Sequence, residues 1–481
     1  MLFTSYGFIA FLAVLFVLYY LIPKRFQWLL LLAADIVFYA CAGWKGLCFM
    51  AATVVVSWAA TNLMGASLAK QKAFLRSDEG KALERAERKA YKKQCEKRRK
   101  VIFVLALVAD LGILAALKYT NFLITNVNAL FSADIAAGVD WVLPLGISFY
   151  TFQTVSYVID VYWEKVEPEK NILRVALFTS FFPLLIQGPI SRFGDLKDTL
   201  FAEHKANFKQ ISFGLQRILW GYFKKLVIAD RLLVAVTALC GDPATYTGAY
   251  VFIGAVLYAA ELYADFTGGI DITIGVAQVL GIKVKENFIR PYFSRNIAEY
   301  WRRWHISLSS WFRDYLYIPL GGNRCSNIRH YINILVTFLL SGLWHGAAWH
   351  FVFWGGIHGV YRVTGEILKP LRRQIERANP VRAGGHLVKC FITFGLTSFA
   401  WLFFRANSLS DAVQIIRNIF GDAAGRYCSE WGMDGANITL LLLALIVLIL
   451  ISMAQERNIS IYAWLNRQEK WFPFVAYFVF T

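Results

Sequence analysis

Between Trp301 and Arg324 the chain reads WRRWHISLSSWFRDYLYIPLGGNR, placing Arg302, Arg303, Arg313 and Arg324, His305, and serines at 307, 309 and 310 among aromatic residues. In a chain that is otherwise mostly apolar, such charge is expensive to bury unless it is paired, so the cluster points to function before packing. A second polar island, Ser341-Gly342-Leu343-Trp344-His345-Gly346, lies between two apolar runs. Histidine titrates near neutrality, and a histidine bracketed by glycines sits where the backbone can bend and approach a ligand. That pattern suits a general base acting on a hydroxyl, with His345 as the base. The competing reading of His345 is a satisfied structural histidine.

His350 and His358 are eight residues apart with Trp354 midway, so they share one helix face and read as a packed or pore-facing stripe. No cysteine or carboxylate stands beside them at metal-ligand spacing, and no metal site is expected. A third polar group, Glu261, Asp265 and Asp271, closes an apolar run and calls for partners, which the arginines of 282–330 could supply. Structural and catalytic roles for these carboxylates both stand at this point.

The elements that hold these residues are membrane helices. Of 481 residues, 57% are hydrophobic and 17% charged, fewer charges than the quarter or so of a soluble domain. Apolar runs recur at 6–22, 46–69, 101–117, 246–264, 387–404 and 437–453, with interrupted ones at 26–42, 141–162, 172–190, 211–229 and 331–363. They predict an all-α, polytopic integral membrane protein with about ten to twelve membrane-entering helices. No internal repeat and no Gly/Ser- or Pro-rich linker divides residues 1–481, so one membrane domain is expected.

The net charge of +18 does not indicate nucleic-acid binding, because it concentrates in one segment. Residues 70–100 hold thirteen Lys/Arg against five acids, the pattern of a basic cytoplasmic loop. Glu84, Arg85, Arg88 and Lys92 within it have the spacing of an exposed or surface-lying helix. With three spans before it, the N-terminus is expected outside. The first apolar run lacks basic residues before it and a small-residue cleavage site after it, so it is expected to be retained as a span. The seven scattered cysteines show neither CxxC nor zinc-finger spacing. Segment 282–330 alternates Trp301, Trp304, Trp311, Phe312, Tyr315 and Tyr317 with arginines, which predicts short interfacial or re-entrant helices. Pro319 and Gly321-Gly322-Asn323 then predict a turn.

Taken with LPLGISFYTFQTVSYVIDVY (143–162), QGPISRF (187–193), the YADF–G–D segment (263–271) and SGLWHGAAWHFVFWGGIHG (341–359), the stretch 287–324 resembles the membrane-bound O-acyltransferase (MBOAT) superfamily. The likeness is greatest to its alginate and peptidoglycan O-acetyltransferase branch. A sister branch, which attaches D-alanine to teichoic acids, shares the two histidine motifs. YIPLGGNR favours the polysaccharide branch. Two departures stand out: Gly268-Gly269-Ile270-Asp271 replaces the branch's usual Gly-Tyr-Ser-Asp, and the chain stops at 478–481 inside an apolar run where relatives continue. The last span is therefore expected to be incomplete.

The resemblance implies helices around a central tunnel, His345 as the catalytic histidine and His305 as its assistant. It also implies that Trp304, Arg302, Arg303, Ser307, Arg313, Tyr317, Asn323, Trp344 and Asp265 bind donor or substrate. No bound cofactor is expected; acetyl-CoA or another cytoplasmic acyl thioester would be the donor, and a hydroxyl of an extracytoplasmic cell-envelope polysaccharide the acceptor. Membrane lipid surrounds the protein in this reading, a soluble esterase-like partner could complete transfer, and the site is a bacterial inner or plasma membrane. His305 and His345 should then face one water-accessible cavity lined by Trp304 and Trp344, their ring nitrogens within roughly 10 Å. The alternatives are D-alanyl transfer to teichoic acid, an enzyme of the same fold acting on a lipid, sterol or protein, or a transporter or flippase using the histidines as a proton relay.

Overall fold

The computed structural model describes residues 3–241, 245–378, 383–421 and 431–461, together with Trp464 and Arg467. The apolar C-terminal stretch expected to form an incomplete last span lies outside them. The described residues are helical with no β-strand, and they gather into two compact units, 1–207 with 280–284, and 208–279 with 285–481.

The first unit contains α1 (Tyr6–Leu21), α2 (Gln27–Ala40), α3 (Trp44–Arg76), α4 (Arg85–Phe131), α5 (Ile147–Tyr162), α6 (Ile172–Ser180) and α7 (Phe193–Leu200). Both α3 and α4 contain apolar stretches long enough to cross a membrane. A buried hydrogen bond joins them: Ser57 of α3 donates to Asp110 of α4 at 2.8 Å. Asp35 of α2, fully buried, accepts from the Ser180 hydroxyl at 2.9 Å and from the Phe182 amide at 2.8 Å. A buried carboxylate held this way avoids the cost of an unmet charge.

The basic segment 70–100 is not a loop. Helix α3 runs through Arg76, a short helix occupies Asp78–Ala82, and α4 starts at Arg85 and continues unbroken to Phe131. A capping box explains the restart, since the Glu84 amide donates to the Glu87 carboxylate while the Glu84 side chain caps the first turn. The expected helix is present, but as the direct extension of an apolar helix in a helical hairpin rather than a separate surface-lying one.

The second unit contains α8 (Phe208–Tyr222), a π-helical stretch (Phe223–Ala229), α9 (Asp230–Cys240), α10 (Ala249–Val279), α11 (Ile297–Arg303), α12 (Ile306–Phe312), α13 (Asn327–His345), α14 (Trp349–Ile367), α15 (Ala383–Arg405), α16 (Leu409–Ile419) and α17 (Gly435–Glu456). Within it α10, residues 385–405 of α15, and α17 are long and apolar enough to span. Leu442, Leu443, Ile446, Ile449 and Leu450 of α17 are exposed, as a lipid-facing surface requires. The interrupted run 331–363 resolves into α13 and α14. Segment 282–330 forms the short helices expected of it, and Gly321 and Gly322, with φ of 112° and 56°, make the turn after Pro319.

Helices α8 and α10 come together at glycines. A Cβ on Gly221 would sit 2.7 Å from the Gly268 carbonyl oxygen, and one on Gly268 would sit 2.9 Å from that of Gly221. This contact gives Gly268 in the departing GGID sequence a packing role.

Candidate active site

His345 is the last residue of α13. The helix ends there because Gly346 adopts an extended backbone, φ −161°. The two bracketing glycines do different work from the bend expected of them. Gly342 lies inside the helix, where a Cβ would meet the Phe351 carbonyl oxygen at 2.2 Å; at Gly346 a Cβ would strike the Phe351 ring at 2.1 Å. Both let α14 fold back tightly on α13. His345 is left half-buried, its ring 4.9 Å from Trp344, 5.0 Å from Trp354 and 5.3 Å from Phe404.

His305 stands between α11 and α12 with φ 44° and ψ 56°, the left-handed region that side-chain-bearing residues rarely adopt. Such strain persists only where the surroundings hold it. Asn287, fully buried, does so: its carbonyl accepts from the Ile306 amide and its side-chain oxygen from the Ser307 amide, both at 2.9 Å. The imidazole is only 1% exposed, 4.9 Å from the ring of Phe266 and 6.3 Å from that of Trp344. Neither ring nitrogen has a hydrogen-bond partner among the described residues. Burial pushes the pKa of this histidine, which lies outside the spanning helices, well below its ordinary value, so the ring is neutral at neutral pH. A neutral imidazole can donate one hydrogen bond and accept another, but it supplies no fixed positive charge.

Trp344 touches both histidines. Its centroid lies 4.9 Å from His345 and 6.3 Å from His305, which bounds the separation of the two imidazole centroids at about 11 Å. The shared open cavity expected between them does not take that form, because His305 is enclosed by aromatic rings. A cavity of about 450 Å³ lies alongside instead, lined among others by Arg302, Ile306, Ser309, Arg313, Tyr317 and Ser341.

The remaining candidates divide. Arg302, Arg313 and Tyr317 line that cavity. Arg303 does not; its guanidinium pairs with Glu299 at 2.8 Å and Glu456 at 3.0 Å, and Arg290 joins Glu456 at 2.6 Å, an ion network that ties α11 to the end of α17. Trp304 is buried in an aromatic stack, 5.6 Å from Tyr300 and 5.1 Å from Trp401. Ser307 contributes its amide to the Asn287 clamp, and Asn323 is exposed in the glycine turn. Asp265 pairs with Lys225 of the π-helical stretch. Asp271 pairs with Lys224 at 2.6 Å and Arg217 at 2.8 Å. The arginine segment does not supply these partners because α8 and the π-helical stretch place their cations directly opposite α10. Ile270 and Asp271, at the departure from the usual sequence, line a separate cavity of about 250 Å³. His350 and His358 are structural in setting: the former bonds through Nδ1 to the Phe403 carbonyl at 3.0 Å, and the latter accepts from the Trp301 indole at 3.3 Å.

Sequence reasoning passed over Asn287 and Arg362. Asn287 opens the NFIRPYF stretch, where a lone amide precedes aromatic residues. Arg362 continues the four-residue stripe of His350, Trp354 and His358.

An all-helical membrane protein with two histidines gathered on one indole at the end of a helix has the parts of an intramembrane group-transfer enzyme. Residues 169–405 match the membrane-bound O-acyltransferase family. The chain is 36% identical over 443 residues to the probable alginate O-acetylase AlgI of Azotobacter vinelandii, covering 90% of this chain and 80% of that protein. It is equally identical over 470 residues to the protein of that name from Pseudomonas aeruginosa, covering 95% and 82%. With the peptidoglycan O-acetyltransferase of Helicobacter pylori it shares 33% identity over 344 residues, 66% and 64% of the two chains. This protein belongs to the membrane-bound O-acyltransferase family, and it is an O-acyltransferase rather than a transporter.

Proposed function

We propose that this acyltransferase moves an acetyl group from a cytoplasmic thioester to a hydroxyl of an extracytoplasmic cell-envelope polysaccharide, in the inner or plasma membrane of a bacterium. The observation that carries the reading is the meeting of His345 and His305 on Trp344. The names of the similar proteins, which act on alginate and peptidoglycan, support the acceptor class. A soluble esterase-like partner completes delivery where the polymer does not enter the protein.

In this mechanism His345 takes the proton of the acceptor hydroxyl, a role typically worth about 10²–10⁴ in rate. The hydroxyl oxygen attacks the thioester carbonyl carbon. Neutral His305 donates its N–H to the carbonyl oxygen as negative charge develops there, and does so from a site that excludes water. The tetrahedral species collapses, the C–S bond breaks, and the departing thiolate recovers the proton held by His345. The ester remains on the acceptor.

The test is transfer of labelled acetyl from acetyl-CoA to purified polysaccharide by membranes carrying the protein, with and without its extracytoplasmic partner. Label that reaches the polymer only when the protein is present supports the reading. Absence of protein-dependent thioester consumption under both conditions sinks it.

A further inference from the structure

In the first unit, a cavity of about 540 Å³ opens where the turn after α1 meets the segment after α7. Lys24 and Arg25 line it from the turn and Lys205 from the later segment, with Glu203 the one carboxylate among its described lining residues. None of the three cations has an ion pair among the described residues. Three cations around one concave surface repel one another, and a single carboxylate leaves positive charge in excess. A phosphate relieves that excess, and the Arg25 guanidinium presents the fork that phosphate oxygens fit.

The two walls are locked together. Gln27, buried at the start of α2, donates to the carbonyls of Tyr19 and His204, each at 3.0 Å, and accepts from the His204 amide at 2.8 Å. The His204 ring donates through Nε2 to the Thr199 carbonyl at 2.7 Å. Gly281, at φ 86°, gives that ring its room, since a Cβ there would lie 2.4 Å from Nδ1. A site held this way has little freedom left to lose on binding.

The neighbouring surface of α1 indicates what carries the phosphate. Val14, Val17, Leu18 and Leu21 are exposed at i, i+3, i+4 and i+7, an apolar stripe on one helix face. The stripe ends at Leu21, which stands between Tyr20 and Ile22, both lining residues of the cavity. Acyl chains match such a stripe, whereas a soluble phosphate ester gains nothing from it. Lys24 and Arg25 follow directly, on the side that the asymmetry of Lys and Arg assigns to the cytoplasm.

We propose that this cavity binds an anionic phospholipid of the cytoplasmic leaflet, with its phosphodiester held by Lys24, Arg25 and Lys205 and its acyl chains along Val14, Val17, Leu18 and Leu21. Glu203 accepts from a headgroup hydroxyl, which suits a glycerol headgroup and not a choline.

The experiment is native mass spectrometry of the full-length protein in neutral detergent, titrated with dioctanoyl phosphatidylglycerol or dioctanoyl phosphatidylcholine. The glycerol lipid should bind at least about tenfold more tightly, as several cations near one lipid phosphate imply. Lys205→Gln should cut that preference about fivefold, and Lys24→Gln/Arg25→Gln/Lys205→Gln should erase it. Lys205 is exposed and outside any helix, so the single variant keeps its fold, which thermal melting verifies. Lys89→Gln/Lys92→Gln/Lys93→Gln removes as many exposed cations from the basic hairpin and should leave the preference intact. Equal binding of the two lipids by wild type, an unchanged preference in the triple cavity variant, or an equal loss in the hairpin variant would overturn the proposal. Displacement of the lipid by sn-glycerol 3-phosphate at matching concentration would overturn it too, because the site would then read a soluble phosphate ester.

Discussion

His305 and Trp344 meet edge to face at 6.3 Å, joining a strained turn in the arginine segment to the residue before the helix-terminal histidine. This contact links two motifs that lie forty residues apart in the sequence. Its consequence is a set of unequal roles for histidines that look alike in composition.

His345→Ala should lower acetyl transfer by about 10²-fold or more while leaving membrane insertion near normal, as removal of a general base does. His358→Ala should cost activity only through packing, because its Nδ1 already accepts from Trp301 in a fully buried aromatic setting. Rates measured at equal protein level in membranes decide the matter. Activity of His345→Ala within about threefold of wild type contradicts the base assignment.

His305 makes a prediction about pH. Its folded pKa is lowered by burial, so the folded state resists protonation while the unfolded state takes up a proton below its ordinary pKa near 6.5. The stability owed to a neutral His305 is therefore full above about pH 6.5 and falls as the pH drops, by up to about 1.4 kcal/mol per pH unit. Thermal melts of wild type and His305→Gln between pH 7.5 and 5 should show a shallower decline in the variant. Parallel curves would mean that His305 takes no part in the linkage.

Asn287→Ala should act on the site without touching substrate. It removes the acceptor for the Ser307 amide while the backbone bond to Ile306 remains, so about 1–2 kcal/mol of stability should be lost. The loosened left-handed turn should also reduce turnover more than it raises KM, because the position of His305 matters in the transition state. A drop in KM-linked binding alone would point to a different role for the turn.

The basic helical hairpin should face the cytoplasm, by the asymmetry of Lys and Arg. Cys95 is half-buried on α4, so Lys93→Cys, at an exposed neighbouring position, is the better reporter. It should resist an impermeant thiol reagent in intact cells and react after permeabilisation. Labelling in intact cells would reverse the orientation of the chain.

Helix positions were legible in the sequence because apolar runs of spanning length state themselves: α1 and α17 fall close to the runs at 6–22 and 437–453, while α10 starts within the run at 246–264 and continues to Val279. The basic segment misled as a loop because charge density signals exposure, whereas the capping box at Glu84 and Glu87 restarts a helix that charge alone does not reveal. His345 and His305 were legible as motif residues. Their enclosure was not, since it depends on Phe266 and Phe404 arriving from distant helices and on Phe288 from the extended stretch before α11. The partners of Asp265 and Asp271 were equally hidden: the nearest arginines in sequence lie downstream, and a π-helical stretch brings Lys224 and Lys225 instead.

Arg302 and Arg303 are adjacent in sequence and should separate cleanly by experiment. Arg303 and Arg290 share Glu456, and all three side chains are only partly exposed. Removing the carboxylate leaves two guanidiniums facing each other with only Glu299 to offset Arg303. Glu456→Gln should therefore lower stability by about 1–2 kcal/mol, less than a fully buried pair because solvent screens this one. Its effect should appear as a lower melting temperature, eased by high salt, with the KM for donor unmoved. Arg302→Gln, at an exposed side chain, should leave melting near wild type. A Glu456→Gln protein with unchanged melting at low and high salt would show that the network adds nothing to stability.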